Sequence, residues 1–354
     1  MPEIHVVVTL GLKEHLLQQI AAVDPDLRVI QLNSQQRRLY RGGKSIWYEP
    51  YEPPDTETMT PQEAESSYRK IMAQAEVLFT TPLMPANLQE LAPQLRWAQS
   101  TAAGAEKLLG SPLLRSGITM TTASGIHAIP VGEHVVATML AFAKNFPAAF
   151  DAKQRRAWEE YLSGELLGST IGIIGLGHIG SHIARLARGF GVRILATRRS
   201  AQRPVSGQEA GVPEVDELLP ASDLARLLRE SDYIAISVPL TRETSHLIGE
   251  AELKLMKPSA VIINVSRGPI IDEPALLRAL KGGTIRGAAL DVFEKEPLPP
   301  ESELWGLSNV IITPHTSGST PLYMDRAVGL FCENLQRFLV GQTLLNILDP
   351  ERGY

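Results

Sequence analysis

The sequence predicts an α/β protein with a doubly wound parallel sheet and two domains, and three observations lead to this prediction. From residue 170 onwards, apolar strand patterns alternate with helical ones, as they do where helices cover both faces of a parallel sheet. A glycine-rich turn joins the first of these strands to a helix. The chain also has 354 residues, more than one hydrophobic core usually holds.

The apolar patterns place the individual elements along the chain. Strands are predicted at 6–10, 77–80, 96–100, 170–174, 192–197, 233–238, 260–265, 285–290 and 310–313. Helices are predicted at 135–150, 179–190, 222–230, 250–256, 273–281 and 326–340. Residues 33–66 are polar and rich in proline, which predicts a loop whose role the sequence leaves open.

The composition excludes several classes of protein. The chain is 44% hydrophobic and 21% charged with a net charge of −5, which is typical of a globular protein and argues against a nucleic-acid-binding surface. Cys332 is the single cysteine, so neither a disulfide framework nor a metal site built on cysteines is expected. No secretory leader and no run of 18 apolar residues is seen, so we expect a cytoplasmic protein with no membrane partner.

The glycine-rich turn predicts dinucleotide binding. A short apolar strand at 170–174 leads directly into Gly175-Leu176-Gly177-His178-Ile179-Gly180. In this pattern Gly175 allows a tight turn, Gly177 lets a pyrophosphate approach the backbone, and Gly180 lets the helix pack close to the sheet. The helix that follows offers free N–H groups and its positive dipole end to the phosphates.

The end of the second strand bears on the choice of dinucleotide. NAD-binding chains usually place a carboxylate there to hold the ribose 2′-hydroxyl. This chain instead has Thr197, Arg198 and Arg199. Since guanidinium groups bind a 2′-phosphate through charge-assisted hydrogen bonds, NADP(H) is the preferred cofactor, with NAD(H) as the alternative. A solvated basic turn would give the same residues.

Three later segments follow strand ends, where α/β sheets bind their ligands. They contain Arg267, Glu296 and His315. A guanidinium binds and polarises a 2-oxo acid, an imidazole supplies the proton to the forming alkoxide, and a carboxylate orients that imidazole and favours its protonated form. Taken singly, each residue also fits an ordinary structural role. Their joint occurrence after a dinucleotide fingerprint favours an enzyme that reduces a carbonyl group.

The chain resembles the D-isomer-specific 2-hydroxyacid dehydrogenases. The matching segments, in family order, are Gly175–Gly180, Val238–Thr241, Asn264–Gly268, Asp291–Pro297 and Thr313–Gly318. The resemblance implies two Rossmann-like domains with an interdomain cleft. A flavodoxin-like substrate domain would span 1–142 and 321–354, and a dinucleotide-binding domain would span 143–320.

The resemblance also implies roles for individual residues. Arg267 would bind the 2-oxo acid, His315 would be the acid/base with Glu296 as its partner, and the N–H groups of Ala103 and Gly104 would hold the substrate carboxylate. No metal ligand is implied. The implied cofactor contacts are Gly175, Gly177, His178, Ile179, Gly180, Thr197, Arg198, Arg199, Val238, Pro239, Val265, Ser266, Arg267, Asp291 and His315.

Within this family, the arginine pair, Leu298–Glu301 and the ending at 349–354 are similar to the glyoxylate/hydroxypyruvate reductase branch. A small 2-oxo acid substrate and a homodimer are therefore expected. Two alternatives stay open. One is a dinucleotide-sensing interaction protein of the same fold, which a turnover assay would distinguish. The other is a phosphoglycerate-type dehydrogenase, against which the lack of an evident regulatory domain after residue 340 weighs.

Overall fold

A computed structural model describes residues 3–42, 59–104, 108 and 112–349. The chain divides into two units, one formed by Met1–Ile126 with Thr320–Tyr354 and the other by His127–Ser319. Each unit contains one sheet whose strands are parallel, apart from a single antiparallel edge strand in the second unit. Helices pack on both faces of each sheet. The prediction of an α/β fold with parallel sheets in two domains is therefore confirmed.

The first unit has a five-stranded sheet in the order β2-β1-β3-β4-β5. This is the order found in flavodoxin-like folds. Its strands are β1 (Ile4–Val8), β2 (Leu27–Gln31), β3 (Val77–Thr80), β4 (Trp97–Ser100) and β5 (Thr119–Thr121). Its helices are α1 (Glu14–Ala21), α2 (Ser34–Tyr40), α3 (Pro61–Gln74) and α4 (Leu88–Leu91), together with the last helix of the chain, α11 (Tyr323–Leu339), which packs against α1.

The prediction of a loop over 33–66 was wrong at both of its ends. Helix α2 begins after Asn33 and α3 begins after Thr60, and each of these residues caps its helix through a capping box with the side chain three positions on. Capping boxes satisfy backbone N–H groups that would otherwise lack acceptors. Trp47, Tyr48 and Tyr51 lie outside the described residues, whereas Tyr40, the other aromatic residue of this stretch, is buried at the end of α2.

The second unit has an eight-stranded sheet in the order β13-β12-β11-β10-β6-β7-β9-β8. Its strands are β6 (Thr170–Ile174), β7 (Arg193–Arg198), β8 (Val205–Ser206), β9 (Glu217–Pro220), β10 (Tyr233–Ile236), β11 (Val261–Asn264), β12 (Gly287–Leu290) and β13 (Val310–Ile312). The chain winds outward from β6 through β7 and β9, then crosses back to β10 on the other side. The strand order therefore reverses between β6 and β10, which is where such sheets bind ligands.

Six helices belong to this unit, and the long helix predicted over 135–150 is two of them. They are α5 (Ala128–Ala143), α6 (Phe146–Arg155), α7 (His178–Arg188), α8 (Leu224–Glu230), α9 (Glu250–Leu255) and α10 (Glu273–Lys281). Asn145 separates α5 from α6 because it adopts a left-handed conformation with φ of 54°, which a continuous right-handed helix does not contain.

The division between the two units lies before α5, whereas the sequence placed the domain boundary at residues 142 and 143. The reason is packing. Val135 and Met139 of α5 are fully buried in the same apolar cluster as Ile183 of α7. A Cβ placed on Gly132 of α5 would lie 2.6 Å from the His182 ring of α7. The two helices are therefore in close contact, and α5 belongs with the second sheet.

The structure bears on the single cysteine and on the membrane and metal expectations drawn from the composition. Cys332 is buried in α11, and burial raises the pKa of its thiol to about 11, so this cysteine packs in the core. Across the described ranges, no helix combines the length and apolar character needed to cross a membrane, and no group of three or more potential metal ligands occurs.

Candidate active site

The glycine turn after β6 has the geometry that the fingerprint predicts. Gly175 adopts a φ of 98°, and a Cβ at this position would lie 2.6 Å from Val238. A Cβ on Gly180 would overlap the carbonyl oxygen of Gly175, so α7 approaches the turn more closely than any side chain would permit. At Gly177 a Cβ would meet no atom within 4 Å. The turn is thus open where a phosphate would approach the first N–H groups of α7, at His178 and Ile179.

Neighbouring strands hold this turn in place. The Thr197 hydroxyl, at the end of β7, accepts a hydrogen bond of 3.2 Å from the Gly175 N–H. The Ser237 hydroxyl, after β10, donates to the Gly175 carbonyl at 2.7 Å. Thr197 is buried, so its side chain shapes the turn. Ser237 was not identified from the sequence, although it directly precedes the Val238–Thr241 segment.

The two arginines after β7 differ in their surroundings. Arg198 donates from Nε and Nη2 to the Leu176 carbonyl, at 3.2 and 3.1 Å, and so lies against the glycine turn. Arg199 is exposed. A hydrogen bond from Thr241 lowers the pKa of Glu243, and the charges of Arg242 and Arg199 lower it further.

His315 and Glu296 form a hydrogen-bonded pair. The imidazole Nδ1 donates to Glu296 Oε2 at 2.8 Å, and the other carboxylate oxygen accepts from the Phe293 N–H at 3.1 Å. Both side chains are partly exposed. Since Nδ1 is held by the carboxylate, Nε2 is the ring atom left to exchange a proton with a substrate.

The Asp291 side chain, directly after β12, accepts hydrogen bonds from the loop that carries His315. Its carboxylate, which is 1% exposed, accepts from the Thr313 hydroxyl at 2.6 Å and from the N–H groups of Thr316 and Ser317 at 2.9 and 3.0 Å. The Asp291 carbonyl accepts from the His315 N–H at 2.8 Å. His315 has a φ of 54°, a conformation that a non-glycine residue keeps only where its surroundings enforce it. Asp291 is therefore a positioning residue for His315.

Arg267 follows β11 and is partly buried. Asn264 fixes the turn before it, because its amide donates to the Arg267 carbonyl at 3.0 Å and its oxygen accepts from the Ser266 N–H at 3.1 Å. The Ser266 hydroxyl donates to the Val238 carbonyl. On the other side, a Cβ on Gly268 would overlap the carbonyl group of Phe293. The backbones that carry Arg267 and Glu296 are therefore in direct contact.

The structure gathers most of the predicted site residues at one edge of the second sheet. The fingerprint residues follow β6, Val238 and Pro239 follow β10, and buried Val265 follows β11. Parallel strands end at the same edge, so these residues and the three candidate catalytic ones share it. Gly268 and Phe293, which link the loops after β11 and β12, were not predicted as site residues. Gly268 directly follows Arg267 in the sequence. Its position next to a predicted site residue is the feature from which it can be identified.

Ala103 and Gly104 lie in the first unit, in the loop after β4. Thr101 and Ala102 donate their N–H groups to strand ends, to the Thr80 carbonyl of β3 at 2.7 Å and to the Ser100 hydroxyl of β4 at 3.1 Å. Among the described residues, the N–H groups of Ala103 and Gly104 donate to no protein acceptor. Ala105, the next residue of this loop, lies outside the described ranges.

Comparison with known proteins agrees with this geometry. A model of the NAD-binding domain of D-isomer specific 2-hydroxyacid dehydrogenases matches residues 136–317. A glyoxylate reductase of Korarchaeum cryptofilum is 37% identical over 77% of this chain and 82% of its own length. A glyoxylate reductase of Aeropyrum pernix is 36% identical over 86% and 89% of the two chains.

A solved structure extends the likeness over both units. A D-isomer specific 2-hydroxyacid dehydrogenase family protein from Aeromonas salmonicida subsp. salmonicida has a TM-score of 0.76 and 31% identity, covering 98% of this chain and 99% of its own. The glycine turn, the His315–Glu296 pair and the sheet that carries them lie within the matched segments. The chain therefore belongs to the D-isomer-specific 2-hydroxyacid dehydrogenase family, in its glyoxylate reductase branch, and is an NAD(P)-dependent oxidoreductase.

Proposed function

We propose that the protein reduces a small 2-oxo acid of the glyoxylate or hydroxypyruvate type to the D-2-hydroxy acid, with NADPH as the preferred reductant. The observation that supports this most strongly is the 2.8 Å hydrogen bond between His315 and Glu296, at the sheet edge that also carries Arg267 and the glycine turn. An oriented proton donor, a cation and a dinucleotide site are the groups that this reduction needs.

Each residue has a separate task in the proposed reaction. The Arg267 guanidinium binds the 2-oxo acid and polarises its keto oxygen. The bound dinucleotide supplies the hydride. His315 donates a proton from Nε2 to the oxygen as negative charge develops there, and Glu296 holds the imidazole in one orientation through Nδ1.

A turnover assay tests this proposal against the alternative of a dinucleotide-sensing protein. The purified chain is mixed with NADPH or NADH and with glyoxylate, hydroxypyruvate or pyruvate, and the absorbance of the reduced cofactor is followed. We expect consumption of NADPH with at least one of these acids, and chiral analysis of the product of hydroxypyruvate or pyruvate should give the D-isomer. Tight dinucleotide binding without turnover of any 2-oxo acid would favour the sensing protein.

The preference for NADPH is argued from charge at the end of β7. The end of β7 carries no carboxylate of its own, and Arg199, directly after the strand, is exposed. Arg198 donates to the Leu176 carbonyl and thereby stabilises the glycine turn. We assign the 2′-phosphate to this pair of arginines, with Arg199 as its more exposed member.

Replacing Arg199 by serine should raise KM for NADPH by about tenfold to a hundredfold, the size expected when one charge-assisted contact is lost. KM for NADH should change little, because NADH has no 2′-phosphate. Steady-state kinetics with both cofactors give the answer, and Arg203→Ser, which removes an exposed arginine of the same turn that pairs with Glu209, is the matched control. A wild-type kcat/KM that is higher with NADH would contradict the proposal.

A homodimer is the proposed assembly, and the structure points to one surface. Between residues 146 and 167 large apolar side chains are exposed, including Phe150, Leu167, Trp158 at 94% and Leu162 at 101%. Exposed apolar patches of this kind mark interaction surfaces. In a two-fold symmetric dimer the same patch of both subunits meets itself, so we assign this surface to a second copy of the chain.

Replacing Phe150 and Leu162 together by glutamate should convert the dimer to a monomer of 38.7 kDa, because each charge would be buried without a partner at a cost of several kcal/mol. Light scattering after size-exclusion chromatography measures the mass. Trp305→Glu, at an exposed aromatic residue outside this patch, should leave the dimer intact. A variant that stays dimeric would show that another surface forms the interface.

A further inference from the structure

A cluster of three titratable side chains lies beside the segment that carries Glu296. Glu294 donates its backbone N–H to the Glu273 carboxylate at 3.1 Å, and the Glu294 carboxylate accepts the Glu273 N–H at 3.2 Å. His246 Nε2 lies 3.2 Å from the same oxygen of Glu294. Glu273 begins α10 and His246 lies in the loop after β10, so Glu294 joins three separate parts of the second unit.

Each member of the cluster is itself fixed by the backbone. His246 has a φ of 51°, and its N–H donates to the Pro269 carbonyl at 2.8 Å. Ile248 and Ile271 form a parallel bridge next to this contact. Glu273 stands directly after Asp272, whose side chain caps α10 by accepting from the Ala275 N–H at 2.8 Å. The backbone contacts at His246 and at the start of α10 therefore fix two of the three residues of the cluster.

The cluster is close in sequence and in space to the proposed acid/base pair. Phe293 precedes Glu294, and its N–H holds one oxygen of the Glu296 carboxylate. The Phe293 carbonyl packs against Gly268 so closely that no side chain fits between them. The segment 293–296 is thus held on one side by the loop of Arg267 and on the other by Glu273 and His246.

We infer that Glu273, with Glu294 and His246, is a positioning residue that fixes the 293–296 backbone so that Glu296 faces His315. The reciprocal pair of hydrogen bonds sets the place of the Glu294 peptide, and the neighbouring Phe293 N–H then meets Glu296 at a fixed distance. Burial raises the pKa of Glu273, and the charge of Glu294 adds to the rise, as expected for two carboxylates kept close together. The kinetic effect of this role rests on the proposed function. Its effect on the 293–296 backbone does not.

The test compares Glu273→Ala, which removes the acceptor of the Glu294 N–H, with Glu273→Gln, which keeps an acceptor oxygen. Glu250→Ala is the matched control, because Glu250 also begins a helix of this unit but pairs with Lys254 and Arg278 on the surface. Amide hydrogen exchange measured by NMR is the first readout. Glu273→Ala should speed exchange at Phe293 by about fivefold, the effect of one weakened hydrogen bond, and Glu273→Gln and the control should not.

The second readout is the pH profile of 2-oxo acid reduction. Glu273→Ala should lower kcat by about tenfold and change the alkaline limb of the profile, because Glu296 would no longer lie at a fixed distance from His315. Glu273→Gln should restore both. Faster exchange at Glu294 alone, with unchanged exchange at Phe293 and an unchanged alkaline limb, would overturn the inference.

The design separates this inference from the proposed function. A wild-type protein that reduces no 2-oxo acid would refute the proposed function, while the exchange rate at Phe293 would still decide whether Glu273 fixes the segment. Should Glu273→Ala fail to fold, Glu273→Asp withdraws the carboxylate by one methylene group and should give an intermediate rate of exchange at Phe293. A wild-type exchange rate in Glu273→Asp would then count against the inference.

Discussion

Replacing His315 by glutamine should lower kcat for the reduction of a 2-oxo acid by about 10²- to 10⁴-fold, the usual contribution of a positioned acid/base group. Glutamine is close to histidine in size and can still donate to Glu296, but it cannot release a proton to a forming alkoxide. Dinucleotide affinity should stay close to that of the wild type, because the glycine turn lies after β6 and His315 lies after β13. Stopped-flow or steady-state kinetics and a fluorescence titration with NADPH measure the two quantities.

The pH dependence of the wild type follows from the same role. His315 must enter the reduction protonated, so activity should fall as rising pH removes that proton; the reverse oxidation needs neutral His315 and should gain activity over the same range. Glu296→Gln replaces the carboxylate that lies 2.8 Å from Nδ1 of His315 by a neutral amide, so the pH profile of this variant should differ from that of the wild type. An undiminished kcat in His315→Gln would refute the mechanism, and an unchanged profile in Glu296→Gln would refute the pairing.

Replacing Arg267 by alanine should lower kcat/KM for the 2-oxo acid by about 10²- to 10³-fold, similar to the loss of one donor to a developing oxyanion. The guanidinium should contact the substrate before the reaction and the alkoxide during it, so KM should rise and kcat should fall. Because the backbone of Arg267 is held by Asn264 and Gly268, the substitution should leave the loop in place.

Two comparisons make the Arg267 result specific. Arg267→Lys keeps the charge but loses the planar fork of donors, so it should recover only part of the lost activity. Arg278→Ala removes an exposed arginine of α10 that pairs with Glu250, and it should behave as the wild type does. Near wild-type kinetics in Arg267→Ala on every 2-oxo acid would place the substrate cation elsewhere.

The sequence predicted six of the eight strands of the second sheet and missed β8 and β9 at one edge; the strands that it found have local signals that agree with their packing. Strand β6 and helix α10 match their predicted bounds to the residue. Strand β6 is a buried apolar run that ends at Gly175, and α10 has the capping residue Asp272 before it and Gly282 after it, which are signals with a direct physical cause.

The first sheet was predicted less well because its elements depend on contacts far apart in the chain. Strand β1 was predicted two residues late, since the apolar pattern continues into Leu10 and Leu12, which are buried after the strand has ended. Strand β5 reads Thr-Met-Thr, a pattern without an apolar run. Only its parallel pairing with β4 makes it a strand.

For the site, the motifs predicted which loops matter but not how their side chains are used. Thr197 and Ser266 were predicted as cofactor contacts, yet their hydroxyl groups hydrogen-bond to the backbones of the loops after β6 and β10. Asp291 was implied as a cofactor contact, and its carboxylate organises the His315 loop, with a partner as far along the chain as Ser317. Such pairings depend on strand order, which residue spacing alone does not encode.

The strand order β13-β12-β11-β10-β6-β7 separates two kinds of inherited change. The residues that we assign to selection of the dinucleotide follow β6 and β7, and those that we assign to the oxo acid follow β11, β12 and β13, with β10 between the two groups. Substitutions without shared contacts usually have additive free energies. A lineage could therefore exchange one coenzyme for the other, or one acid for another, in separate steps, and neither step would undo the other.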